Sequence, residues 1–271
     1  MPQVINTNIF ALNAQRNLNK TTASLQTAME RLSSGLRINR AKDDAAGLAI
    51  SDKMTAQIRG LNQAIRNVND GVGYVQTADG ALEEVTNSLQ RMRELAVQAS
   101  TGTVSSTGGA SSDKGKLNAE FQALEASIND ILADTKFNGV AVFGASVTIQ
   151  SGTESGNTIA VDVSSPSLSG ITADISTASG AQGALATLDA DLNAVADVRA
   201  SAGASQSRLE STARNLANVV ENVSAARSQI LDADFAKETA NLTRAQILQQ
   251  SGAAILAQAN IIPQNVLSLL R

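Results

Sequence analysis

The sequence predicts a mainly α protein, a long antiparallel helical coiled-coil or bundle rod formed by the N- and C-terminal arms, with a small β-hairpin region in the middle. Three observations predict it. An apolar stripe stepping by three and four residues runs through both ends: Leu18, Leu25, Met29, Leu32, Leu36, then Met54 to Val75, and later Leu185 to Val195 and Leu209 to Ile230. Such a stripe makes a narrow seam that needs a partner helix, and the opposite end of the same chain supplies one. Aromatic residues make up only 2% of the chain against 43% hydrophobic, with no Trp and one Tyr. Close-packed Leu, Ile, Val and Ala suit helix pairs, whereas rounded cores lean on aromatics. Finally, the only prolines are Pro2, Pro166 and Pro263, so neither arm is interrupted.

The first helix is expected from Thr7 to about Leu32, followed by a polar connector through Ser33-Ser34-Gly35 and Asn39-Arg40-Ala41-Lys42-Asp43-Asp44. Asp43 and Asp44 are placed to cap a second helix from Ala45 to about Ala99. At 1.5 Å per residue that helix is roughly 80 Å long. Gly71, Gly73 and Gly80 each weaken it by about 1 kcal/mol relative to Ala, which suggests a close neighbour at those positions. Thr101–Gly115 reads as a loop, and Leu117 to about Thr135 returns to helical spacing. From Phe137 the period changes. Val147–Gln150 and Thr158–Val163 are β-type runs flanking the turn-rich Ser151–Asn157. Loop follows to about Gly183, then a helix from Ala184 to Leu231, a joint at Asp232-Ala233-Asp234, and a last helix from Phe235 to about Asn260.

Each arm thus has an outer helix, a polar joint and a longer inner helix. The outer seams are the more polar, interrupted by Gln15 and Thr22 on one side and by Thr239, Gln246 and Gln249 on the other. Polar seam residues set register and lower stability. Such a pair is expected to fold when many copies assemble around it.

Composition excludes several classes of function. With no His and no Cys, imidazole bases, thiol nucleophiles, disulfides and His/Cys zinc sites are impossible. A net charge of −4 and scarce aromatics argue against a nucleic-acid surface. Gly71-Val72-Gly73 and Gly115-Lys116 lack the remaining residues of dinucleotide and phosphate loops. Asp232 and Asp234 read as a helix joint, not a metal site. No cofactor is expected. No apolar run reaches membrane-spanning length. Met1–Asn6 has no basic segment leading into an apolar core, so no cleaved secretory signal is expected.

The residues themselves carry a resemblance. Ile5-Asn6-Thr7-Asn8, Glu30 to Asn39, Ala41 to Gly47, Asn69-Asp70-Gly71 and Leu89 to Gln98 resemble the N-terminal arm of bacterial flagellin. Ala226-Arg227-Ser228, Asp232 to Phe235, Arg244 to Gln250, Leu256 to Asn260 and Pro263 to Arg271 resemble its C-terminal arm. A chance coiled coil shares the period but not these identities. The middle departs: Thr135–Gly183 is short, which fits a minimal flagellin lacking outer globular domains.

The resemblance implies a non-enzymatic structural subunit that polymerises into the extracellular filament of the bacterial flagellum, exported by the flagellar type III apparatus. It places residues 1–44 and 234–271 in an inner terminal domain lining the filament channel. Residues 45–233 would form the next domain outward, with the hairpin excursion at about 137–180. Polymerisation seams would include Leu18, Leu25, Met29, Leu32 and Leu36 with Leu242, Leu256, Leu267 and Leu270. The implied partners are further copies of the chain, an export chaperone, the filament cap and hook-junction proteins. The vertebrate flagellin-sensing Toll-like receptor is a further one, meeting Gln90, Arg91, Glu94, Leu95 and Gln98. The competing readings are a hook–filament junction protein, a cytoplasmic helical signalling hairpin of chemoreceptor type and, from a third class, an enzyme.

Overall fold

In the computed structural model, residues 7–106 and 109–269 are described, with 262–269 and Ser111 as backbone only. Five helices carry the fold: α1 Ile9–Ser34, α2 Ala45–Ser100, α3 Asp113–Asp134, α4 Ala178–Leu231 and α5 Phe235–Leu269. Two antiparallel strand pairs lie between α3 and α4: β1 Lys136–Phe137 with β2 Val140–Ala141, and β3 Ser146–Gln150 with β4 Thr158–Asp162. The chain divides into two units, one of residues up to Ile58 and from Glu221 onward, the other Arg59–Val220.

The first unit is built on α1 and α5, with the start of α2 and the end of α4. Asn8 caps α1, its side chain accepting from the Ala11 N–H at 3.1 Å. Gly35 ends it in the left-handed conformation, at φ 71°, where glycine avoids the Cβ penalty. Asp44 caps α2 by accepting from the Gly47 N–H at 2.8 Å. Asp43 instead folds the connector, accepting from the Asn39 and Arg40 N–H groups at 3.2 and 3.0 Å. Desolvation pushes the Asp43 carboxyl up, but those donors, with Lys42 and Arg31 nearby, hold it below its usual range. The two joints pair: Arg37 N–H donates to Leu231 O at 2.7 Å and Ala233 N–H to Gly35 O at 2.9 Å, forming an antiparallel bridge between Leu36 and Asp232.

The second unit holds the apolar core. Val68, Val75, Leu82, Leu89 and Met92 of α2 are buried with Phe121 and Ile128 of α3 and Leu188, Val195 and Leu209 of α4. Positions 71, 79 and 93 of α2 meet 209, 199 and 189 of α4, so the two helices run antiparallel. The hairpin β3–β4 lies on α2, where Asn67 donates to Gln150 O at 3.3 Å. A Cβ at Gly71 would stand 3.1 Å from Ile149, and one at Gly73 would stand 3.4 Å from Phe137. The glycines of α2 therefore do admit close neighbours, except Gly80, which has nothing within 4 Å.

Three boundaries differ from expectation. α3 starts at Asp113, four residues before the predicted Leu117, because Ser112 caps it by accepting from the Gly115 N–H at 3.0 Å. α4 starts at Ala178, not Ala184; burial of Ala181 and Ala184 overrides the low helix propensity of Gly180 and Gly183. α5 continues past the predicted Asn260 to Leu269, although Pro263 removes one intrahelical donor and crowds the carbonyl four residues before it. The turn at Asn138-Gly139, φ 50° and 82°, closes a short first hairpin that the sequence reading did not separate.

Candidate assembly and recognition surfaces

The α1·α5 pair is antiparallel and stitched at three points. Asn8 Nδ2 donates to Ala259 O at 2.8 Å. Leu18 sits over Gly252, its Cδ1 3.3 Å from where a Cβ would stand. Arg31 Nη1 meets Glu238 Oε1 at 3.1 Å. The buried positions are small or polar: Ala14 and Ala28 on α1, and Glu238, Ala245 and Ala259 on α5. Leu18, Leu25, Leu32, Leu36, Leu242 and Leu256 are half-buried, as a seam of limited depth requires.

Met29 does not join that seam. It is 56% exposed, because Ala28 occupies the inward position beside it. Of the expected polar interruptions, Gln249 is half-buried in the seam, whereas Gln15, Thr22, Thr239 and Gln246 are exposed; Thr21, Arg31 and Asn241 are half-buried in their place, beside the buried Glu238. Reading only large apolar residues as seam markers missed the alanines that alternate with the leucines. Leu267 falls where only backbone is described, and Leu270 lies outside the described residues.

What the pair leaves uncovered is as informative. Ile9, Phe10 and Leu12 of α1 and Ile247, Ile255 and Ile261 of α5 are exposed, Phe10 at 63% and Ile255 at 61%. Isolated exposed apolar residues are ordinary, but a concentration on two paired helices marks an interaction surface. Beside the pair runs a cleft of about 510 Å³ between Lys20, Thr27, Arg31, Glu238 and Arg244.

The second candidate surface lies on α2 in the other unit. Gln90, Arg91, Glu94 and Gln98 are exposed together. Arg91 bridges Glu94 at 2.9 Å and Glu120 of α3 at 2.9 Å. Hydrogen bonds that the guanidinium donates to Glu94, then to Glu120, raise its pKa. Leu95 corrects the expectation: at 1% exposure it belongs to the core, one step round the helix from Glu94, and the exposed apolar residue of this face is Val97. Arg93 is exposed and paired with Asp189 at 2.7 Å.

Among the described residues, no helix is long and apolar enough to cross a membrane, and no three acidic side chains gather as a metal site would require.

Comparison with known proteins agrees with this architecture. Residues 5–148 match the family described as the bacterial flagellin N-terminal helical region, and residues 185–270 match the bacterial flagellin C-terminal helical region. Flagellin of Halalkalibacterium halodurans is 49% identical across 99% of this chain and 100% of its own length. The flagellar filament 33 kDa core protein of Treponema phagedenis is 40% identical over 99% of this chain and 100% of its own. Among solved structures, Bacillus cereus flagellin matches with a TM-score of 0.50 and 30% identity, covering 56% of this chain and 88% of that one.

Proposed function

The chain belongs to the bacterial flagellin family and is a structural subunit that polymerises into the flagellar filament; from that premise we propose how its parts divide the work. The α1·α5 pair, within residues 1–44 and 234–271, is the inner terminal domain lining the channel, and residues 45–233 form the domain outside it. The observation that carries this is the set of large apolar side chains left exposed on α1 and α5. A thin seam of alanines and half-buried leucines stabilises two helices weakly, and neighbouring subunits supply the missing burial.

Purified protein, seeded with filament fragments and viewed by electron microscopy, tests the reading. Filaments should elongate, and limited proteolysis should cut before Asp44 and after Asp234 in the monomer but not in the polymer. Equal protection in both states counts against assembly-coupled folding.

Family membership supports, as part of the same proposal, export through the flagellar type III apparatus and contacts with an export chaperone, the filament cap and hook-junction proteins. Receptor recognition is placed on Arg91, with Gln90, Glu94 and Gln98 beside it. Leu95 contributes from the core by holding that turn of α2. A hook–filament junction role is the lesser reading, since the relatives matched are filament proteins. Label confined to the hook junction would reverse the order.

A further inference from the structure

The backbone bridge between Leu36 and Asp232 and the Asn8 contact with Ala259 O align the two ends of the α1·α5 pair, but the apolar side chains between them do little to choose an alignment. Alanines and leucines repeating by heptads pack almost as well when one helix slides by a heptad along the other. Such a slip would put Ala245 or Ala259 opposite Leu18 in place of Gly252. Alanine there adds only a methyl group 3.3 Å from Leu18 Cδ1, a contact that a small adjustment relieves.

The charged layer is less forgiving. Glu238 is buried and accepts from Arg31 at 3.1 Å. A heptad slip in one direction brings Ser24, beside the apolar Leu25, to the place of Arg31 opposite Glu238. The other direction carries it past the end of α1. Either way a buried carboxylate loses its cation, among the costliest errors a helix pair can make. The pair is also poorly built for stability alone. Arg31 Nε is buried with no hydrogen-bond partner among the described residues, so desolvation of the guanidinium is only partly offset.

We propose that Arg31 and Glu238 are the register key of the α1·α5 pair: an ion pair that adds little stability but rejects every alignment except the observed one. Register matters here because, on the assembly reading above, every subunit must present the same outer face. A one-heptad slip would carry Ile247 and Ile255 about 10 Å along α1.

The chain has no Cys, which makes the test clean. Three double variants of the full-length chain, Leu18→Cys with Gly252→Cys, Ala245→Cys or Ala259→Cys, report the native and two slipped alignments. Each is bridged by a short bis-maleimide before and after seeded polymerisation. With native charges, the 18–252 product should dominate. Glu238→Arg should lower its excess over the slipped products at least about tenfold, and adding Arg31→Glu should restore it. Glu238→Leu, which keeps the helices apolar and paired, should spread cross-links over all three alignments. An unchanged preference for 252 in Glu238→Leu overturns the proposal, as does failure of the double reversal to restore it. Polymerisation is scored separately by electron microscopy. Absence of filaments from the native chain would sink the assembly reading while leaving the cross-link ratios decisive for register.

Discussion

The Tyr74 hydroxyl on α2 donates to the Val142 carbonyl at 2.9 Å, with the Ala141 carbonyl at 3.2 Å. The chain's only tyrosine therefore ties the segment between the two hairpins to the longest helix. Its ring meets Phe137 edge-on, with centroids 6.2 Å apart, a favoured aromatic geometry.

Tyr74→Phe keeps that packing and removes the donor, so the expected loss is about 1 kcal/mol, read by urea unfolding. The pH dependence is sharper. Burial, then the charge of Asp162, raises the Tyr74 pKa above its ordinary value. A raised pKa means that the folded state holds the phenolic proton more tightly. The stabilisation is complete below the ordinary tyrosine value of about 10 and is lost as pH rises through the folded value. Unfolding midpoints measured upward from about pH 9 should fall in the native chain and fall less in Tyr74→Phe.

Asp191 on α4 is 2% exposed and accepts from the Ser169 and Gly170 N–H groups at 2.9 and 2.7 Å. It fastens the loop before α4 to the helix, and Gly170 lies so close that a Cβ would stand 2.7 Å from Leu188 N. Asp191→Ala strands the buried Gly170 N–H and frees the more exposed Ser169 N–H to water, at a cost of about 1–3 kcal/mol. A calorimetric Tm unchanged by that substitution would contradict the assignment.

Much of this fold could be read from residue order, and the failures have physical causes. The bounds of α2 were legible because a cap, Asp44, stands directly before a long unbroken period. α4 was legible along its seam but not at its start, where Gly180 and Gly183 look like loop until the burial of Ala181 and Ala184 is known. The first hairpin was signalled by Asn138-Gly139, yet strands of two residues are too short to show alternation. On the assembly surface the leucines were visible, but small seam residues carry no hydropathy contrast. Leucine and methionine spacing therefore skips Ala14, Ala28 and Gly252 and points to Met29 instead. The face around Arg91 was legible from family motif alone. Which of its members faces outward was not, because Glu94 and Leu95 are adjacent on the edge between surface and core.

Two glycines of α2 should respond in opposite ways to the same substitution. Gly80→Ala gains helix propensity with open space around the new methyl and should stabilise by about 1 kcal/mol. At Gly71 the methyl meets Ile149 at 3.1 Å and Leu209 at 3.4 Å, so crowding cancels the gain. The urea midpoint should rise in the first variant and stay level or fall in the second.

Arg91→Ala separates recognition from stability. Both of its ion pairs are exposed, at side-chain accessibilities near half or more, and solvent screening leaves exposed pairs little net effect on stability. The variant should keep its Tm and its ability to polymerise. If the α2 face is the receptor contact, signalling by the monomer should drop by about tenfold or more, as expected for an Arg anchor. Undiminished signalling would move the contact elsewhere.

Ile255 offers the most direct test of why α5 carries apolar residues all round. It lies three residues beyond Gly252, the position on which Leu18 rests, on the flank of the seam, with 61% of its surface exposed. In a lone chain, Ile255→Gln exchanges one solvated side chain for another and should change stability by less than about 0.5 kcal/mol. In the polymer the same position is expected to be buried by a neighbour. There the substitution forfeits about 1.5–3 kcal/mol of apolar burial per subunit. Each 1.4 kcal/mol is a factor of about ten in an equilibrium constant, so the critical concentration for seeded elongation should rise by roughly ten- to a hundredfold. Sedimentation of polymer against protein concentration reads that value directly. If Ile255→Gln elongates at the native critical concentration, the exposed face of α5 is not where subunits meet.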